Sequence, residues 1–80
     1  MIKILIVDDQ QLIREGLSSL LRASEKFSVI GEASNGLEAI NFIKNFKPDV
    51  ILMDVRMPVL DGISATKKIL EDYPEMRILI

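Results

Sequence analysis

Apolar positions along the chain follow two alternating rhythms: short unbroken runs, and longer segments in which they recur every third or fourth residue. Residues 2–7 form the first run. After Lys3 both faces are apolar, which predicts a strand inside a sheet rather than at its rim, closed by Asp8-Asp9. Leu12, Ile13, Leu17, Leu20 and Leu21 then recur at helical spacing and predict a helix over 10–23, with Gly16 tolerated at some cost and Asp9 available as its N-cap. The segment 27–33 carries Val29 and Ile30 but also Ser28, Gly31 and Glu32, which suits a shorter strand at a sheet edge.

Asn35-Gly36 turns the chain, and Asn35 with Glu38 forms a capping-box-like pair opening a second helix. Leu37, Ile40, Ile43 and Phe46 are its expected inward stripe, and Pro48 stops it. Val50 to Met53 is a third apolar run, a buried strand that ends in a carboxylate, Asp54. The loop that follows contains Pro58 and the turn signal Asp61-Gly62. A third helix is expected over 63–72, with Ile63, Thr66, Ile69 and Leu70 inward and Tyr73-Pro74 ending it, and Arg77-Ile78-Leu79-Ile80 begins a fourth strand.

The order β-α-β-α-β-α-β predicts an α/β domain with a parallel sheet. If strand two lies on one side of strand one and strand three on the other, right-handed crossovers place the first helix on one face and the second and third on the opposite face, for an expected strand order 2-1-3-4. The switch point lies between strands one and three, where ligands bind beyond the carboxyl ends of such sheets. Asp8-Asp9 and Asp54 both converge there.

Composition narrows the chemistry. Eighty residues suffice for one domain, and 49% hydrophobic residues suit a sheet buried on both faces. A net charge of -2 without a basic cluster gives no reason to expect nucleic-acid or anionic-membrane binding. With no cysteine there is no disulfide framework, which suits a cytoplasmic protein, and with no histidine there is no imidazole base or His-containing zinc site. The run at Ile4 to Val7 is too short for a signal segment or a membrane span.

Asp8, Asp9 and Asp54 at adjacent strand ends would repel pairwise by about 3 kcal/mol at roughly 5 Å and an effective dielectric near 20. Such a cluster calls for a cation or for protonation of one of its members. Hard oxygen donors favour Mg²⁺, and the chemistry they suggest is phosphoryl transfer with a carboxylate as nucleophile or ligand. Each piece also has a plainer reading: Asp8-Asp9 as a cap, Asp54 as a strand-ending turn residue, Asp61-Gly62 and Asn35-Gly36 each as a turn and cap, Lys67 and Lys68 as a solvated helix face. Two acidic strand ends meeting at one switch point favour the chemical reading.

The segments Ile4-Leu5-Ile6-Val7-Asp8-Asp9-Gln10, Gly31 to Ala39, and Asp49 to Pro58 with Asp61-Gly62 resemble the receiver domain of bacterial two-component response regulators. The resemblance is greatest to regulators with a LuxR-type helix-turn-helix output. It implies a flavodoxin-like receiver fold in which Asp54 is the phosphoacceptor, taking a phosphoryl group from a sensor histidine kinase or a small acyl phosphate. It further implies that Asp9 and Asp54 ligate Mg²⁺ directly, Asp8 through a water, and the main-chain carbonyl of Arg56 completes the protein ligands. On this reading the chain is a phosphoacceptor and not a turnover enzyme.

The family pattern continues with a Ser or Thr after strand four, a Lys after strand five and a final helix. Residues 1–80 match only its first two-thirds, so the expectation is a partial receiver, impaired in signalling, whose parent protein carries a DNA-binding output domain. An uncovered face beside the edge at Ile78-Leu79-Ile80 leads to the expectation of a homo-oligomer, with domain swapping as one form of it. Two alternatives stand beside this: a self-associating fragment without phosphoryl chemistry, and a Mg²⁺-dependent phosphohydrolase of the haloacid-dehalogenase type. The latter family has a second Asp two residues after its nucleophile, where this chain has Arg56.

Overall fold

Two apolar strands side by side, β1 (Ile2–Val7) and β3 (Val50–Met53), form the centre of a four-stranded parallel sheet. The structure is a computed structural model and describes residues 1–57 and 59–80; Pro58, read above as loop, lies outside the described residues. Strand order is β2-β1-β3-β4, with β2 (Phe27–Ala33) and β4 (Arg77–Leu79) at the edges, as expected. The connecting helices are α1 (Gln11–Arg22), α2 (Gly36–Asn45) and α3 (Gly62–Asp72).

Register divides the central strands into two sets. Leu5 pairs with Ile51 and Val7 with Met53, and these four pack against Ala39 and Ile43 of α2 and Ala65 and Ile69 of α3. Ile4 and Ile6, paired with Val50 and Leu52, are buried on the opposite face, where Leu17 of α1 meets Ile6 and Leu52 along one groove. At the β2 edge the register slips between Ile4 and Leu5, so Leu5 faces Gly31. A Cβ on Gly31 would come within 2.5 Å of the Phe42 ring, so only glycine lets that ring lie against the strand.

Several expectations are corrected. Asp9 does not cap α1; Gln10 occupies the N-cap without a side-chain hydrogen bond, because the Asp8 carboxylate turns back to accept from the Gln10 N–H. Leu12 and Leu20 point to solvent at 80% and 74% exposure, while Arg14, Leu17, Ser18 and Leu21 face inward. Leu37, Phe46, Ile63 and Leu70 are exposed, and Phe46 follows the end of α2. Ile43 and Ile69 are buried as expected, and the rest of each contact stripe is made of small residues, Gly36 and Ala39 on α2 and Gly62 and Ala65 on α3. At Gly36 the approach is so close that a Cβ would meet the Leu60 carbonyl at 2.6 Å and Ala65 Cβ at 2.8 Å, so no larger residue fits there.

Candidate functional site

Each acidic residue expected at the switch point arrives there by backbone pairing. The Asp8 N–H donates to the Ala33 carbonyl at the end of β2, and the Asp54 N–H donates to the Val7 carbonyl at the end of β1. These bonds carry the parallel ladders one residue beyond the strands and bring both carboxylates to the same mouth. Asp8, Asp9 and Asp54 each offer a carboxylate oxygen, and all three oxygens lie within 4.8 Å of one another. Asp9 is exposed, and Asp8 and Asp54 are half-buried.

One oxygen of Asp8 is occupied by the Gln10 N–H at 2.9 Å, and Asp54 Oδ1 lies 3.4 Å from the Arg56 N–H. The second oxygen of each is free of those contacts. Two oxygens on one octahedral Mg²⁺ at about 2.1 Å lie between about 3.0 and 4.2 Å apart. Oxygens all within 4.8 Å of one another are close enough to share one such ion, directly or through a water. The donor set is hard oxygen throughout, so the residues fit a magnesium ion.

The loop between β3 and α3 forms the neighbouring wall. Arg56, Met57, Asp61, Ile63 and Ser64 line a depression together with Asp9. Asp61 caps α3, accepting from the Ser64 N–H at 2.8 Å and from its hydroxyl at 3.0 Å, and these bonds hold its carboxyl below the ordinary range. Gly62 follows because a Cβ there would collide with the Asp54 carbonyl oxygen and lie 2.8 Å from Val55 Cα. Val59, with φ of 71°, holds a β-branched residue in the left-handed region, a conformation that costs about 1–3 kcal/mol and marks this loop as strained.

On the other side, Asn35 caps α2 by accepting from the Glu38 N–H at 2.8 Å. The Glu38 carboxylate returns to the Ser34 N–H at 2.8 Å, one residue before the position expected for a capping box. That backbone donor lowers the Glu38 carboxyl from its usual value. Arg14 and Glu32 also stand beside the acidic mouth, and no reading of the sequence singled them out. A cation in the second turn of a helix, opposed to the positive end of the helix dipole, was the available signal.

A doubly wound α/β domain with an acidic triad at its switch point defines a class of phosphoryl-handling modules, and comparison with known proteins specifies it. Residues 4–80 match the model of the response regulator receiver domain. The chain is 49% identical over its full 80 residues to the transcriptional regulatory protein LnrK of Bacillus subtilis (strain 168), spanning 36% of that protein's length. Among solved structures, a two-component response regulator of the LuxR family from Aurantimonas sp. SI85-9A1 superposes with a TM-score of 0.95 at 34% identity, covering 100% of this chain and 57% of that one. The response regulator domain of Thermotoga maritima CheB gives 0.92 at 38% identity, covering 98% of this chain and 57% of its own.

The chain belongs to the response regulator receiver domain family, the receiver modules of two-component response regulators. It spans about a third of the length of the curated relatives it matches. The haloacid-dehalogenase-type reading and the reading as a fragment without phosphoryl chemistry find no support among these relatives. No described helix is long and apolar enough to cross a membrane.

Proposed function

We propose that Asp54 is the phosphoacceptor of this receiver and that Asp8, Asp9 and Asp54, with the main-chain carbonyl of Arg56, form a Mg²⁺ site. The observation that carries the reading is the convergence of three carboxylate oxygens within 4.8 Å at the switch point. An Asp54 oxygen attacks the phosphorus of a phosphohistidine on a sensor kinase, or of a small acyl phosphate. The bond from phosphorus to the leaving nitrogen or oxygen breaks with its electron pair, leaving an aspartyl phosphate. A bound Mg²⁺ would offset the charge of the phosphoryl oxygens and of the carboxylates around them. Asp8 and Asp9 hold the acidic mouth, and the buried apolar strands beneath keep Asp54 directed outward.

The role is that of a phosphoacceptor storing a signal, not of a turnover enzyme. Coverage of only part of each relative supports reading residues 1–80 as part of a longer receiver, in a parent protein with a DNA-binding output domain. Absence of cysteine suits a cytoplasmic setting.

Incubation with Mg²⁺ and acetyl phosphate, followed by intact-mass measurement, tests the central reading. Wild type is expected to gain one phosphoryl group and Asp54→Ala none. Equal labelling of both proteins, or none in wild type, overturns it.

A further inference from the structure

The structure points to a positioning residue outside the acidic triad. Arg14 Nη1 donates to the main-chain carbonyl of Asp8 at 2.6 Å, and Nε lies 3.4 Å from Glu32 Oε1 on β2. The guanidinium is well covered, with its side chain 16% exposed. That carbonyl belongs to the peptide joining Asp8 to Asp9. On its other side the Asp8 N–H is held by the Ala33 carbonyl at 3.0 Å, so the backbone of Asp8 is fixed at both ends.

We propose that Arg14 sets the plane of the Asp8–Asp9 peptide and through it the directions of two neighbouring carboxylates that repel each other. The proposal rests on the reading of the triad as a Mg²⁺ and phosphoryl site. Without the tether, the only side-chain restraint left across the Asp8–Asp9 peptide among the described residues is the Gln10 N–H bond to the Asp8 carboxylate, and no other described side chain bonds that carbonyl. The N-terminal part of α1 is not where a cation helps a helix, so the residue's contacts rather than its propensity account for it. Nη1 donates to the peptide, and the ion pair with Glu32 offsets the guanidinium charge beside the anionic mouth. A lysine ammonium can serve one of these partners in place, not both.

Outer-shell partners of metal ligands alter affinity by 10–100-fold when removed, and Arg14→Met is expected to weaken Mg²⁺ binding, measured calorimetrically, about tenfold. Arg14→Lys should recover part of the loss. Glu32→Gln, which removes the ion pair and leaves the Arg14 bond to the Asp8 carbonyl, should stay within about twofold. In metal-free protein the backbone amide signals of Asp8 and Asp9 should move in Arg14→Met and return toward wild type in Arg14→Lys. A purely structural role would lower thermal stability and leave both readouts in place. Arg14→Met that binds Mg²⁺ within twofold of wild type, with those amide signals unmoved, refutes the proposal. Should wild type bind no Mg²⁺ and accept no phosphoryl group, the reading of the site fails, and the metal-free amide signals alone then decide whether Arg14 sets the peptide. If Arg14→Met does not fold, the Arg14→Lys and Glu32→Gln pair decides: equal Mg²⁺ affinity and amide signals in all three folded proteins would overturn it.

Discussion

Alternate residues of the same two central strands build both faces of the sheet, yet the faces end differently. Under α2 and α3, Leu5 and Ile51 are fully buried among Ala39, Ile43, Ala65 and Ile69. Under α1, the cover leans toward β1 and β2 and leaves a groove of about 230 Å³ along Ile6, Leu17, Leu52, Leu79 and Ile80, with Asp8 and Asp54 at its rim. The helices differ in the same direction. Asn35 and Asp61 cap α2 and α3 with side-chain bonds, whereas Gln10, the N-cap of α1, makes none. Close packing and side-chain caps fall together on one face, and on the other α1 starts uncapped beside Asp8 and Asp9.

The sharpest way to break this comparison is a pair of neighbours in β3. Ile51→Ala removes a fully buried side chain and is expected to cost about 2–5 kcal/mol in urea denaturation. Leu52→Ala, on the half-covered face, should cost less than half as much. Equal costs would mean that the α1 face is covered in solution. A Leu52→Ala cost that grows with protein concentration would identify a second copy of the chain as the cover.

A smaller effect is expected at the helix starts. Asn35→Ala should destabilise by about 1 kcal/mol, since the Glu38 N–H loses its acceptor. Gln10→Ala should be nearly neutral, and Gln10→Ser should stabilise by up to about 1 kcal/mol by supplying the cap that α1 lacks. If Gln10→Ala matched Asn35→Ala, the contrast between the helices would be lost.

How far this was legible depends on which physical signal carried each feature. Unbroken apolar runs ending in carboxylates marked the strands, and placing strands two and three on opposite sides of strand one put the switch point where Asp8, Asp9 and Asp54 meet. Local turn chemistry likewise revealed the caps at Asn35 and Asp61. Helix faces were harder, because periodicity counts large apolar side chains whereas α2 and α3 meet through Gly36, Ala39 and Ala65. Leu37 and Ile63 were therefore assigned inward, and both are exposed. Arg14 escaped notice because its partners, the Asp8 carbonyl and Glu32, become neighbours only when β1 and β2 pair.

The smallest expected effect concerns acid. Asp61 and Glu38 both have carboxyls held below their ordinary values by backbone donors, Ser64 for the first and Ser34 for the second. A carboxyl lowered in the folded state adds stability that is fully present above its unfolded value, near pH 4, and is lost as pH falls through the folded one. Both groups serve the starts of α2 and α3, so mild acid should loosen the well-packed side first at its helix ends. Amide exchange at Glu38 and Ser64, followed as pH is lowered below about 4, should quicken relative to intrinsic rates. In Asp61→Asn the amide oxygen still accepts but cannot titrate, so the acid-dependent part at Ser64 should vanish while that at Glu38 remains. Persistence of the Ser64 change in Asp61→Asn would locate the acid sensitivity elsewhere and remove the caps from the account of why the two faces differ.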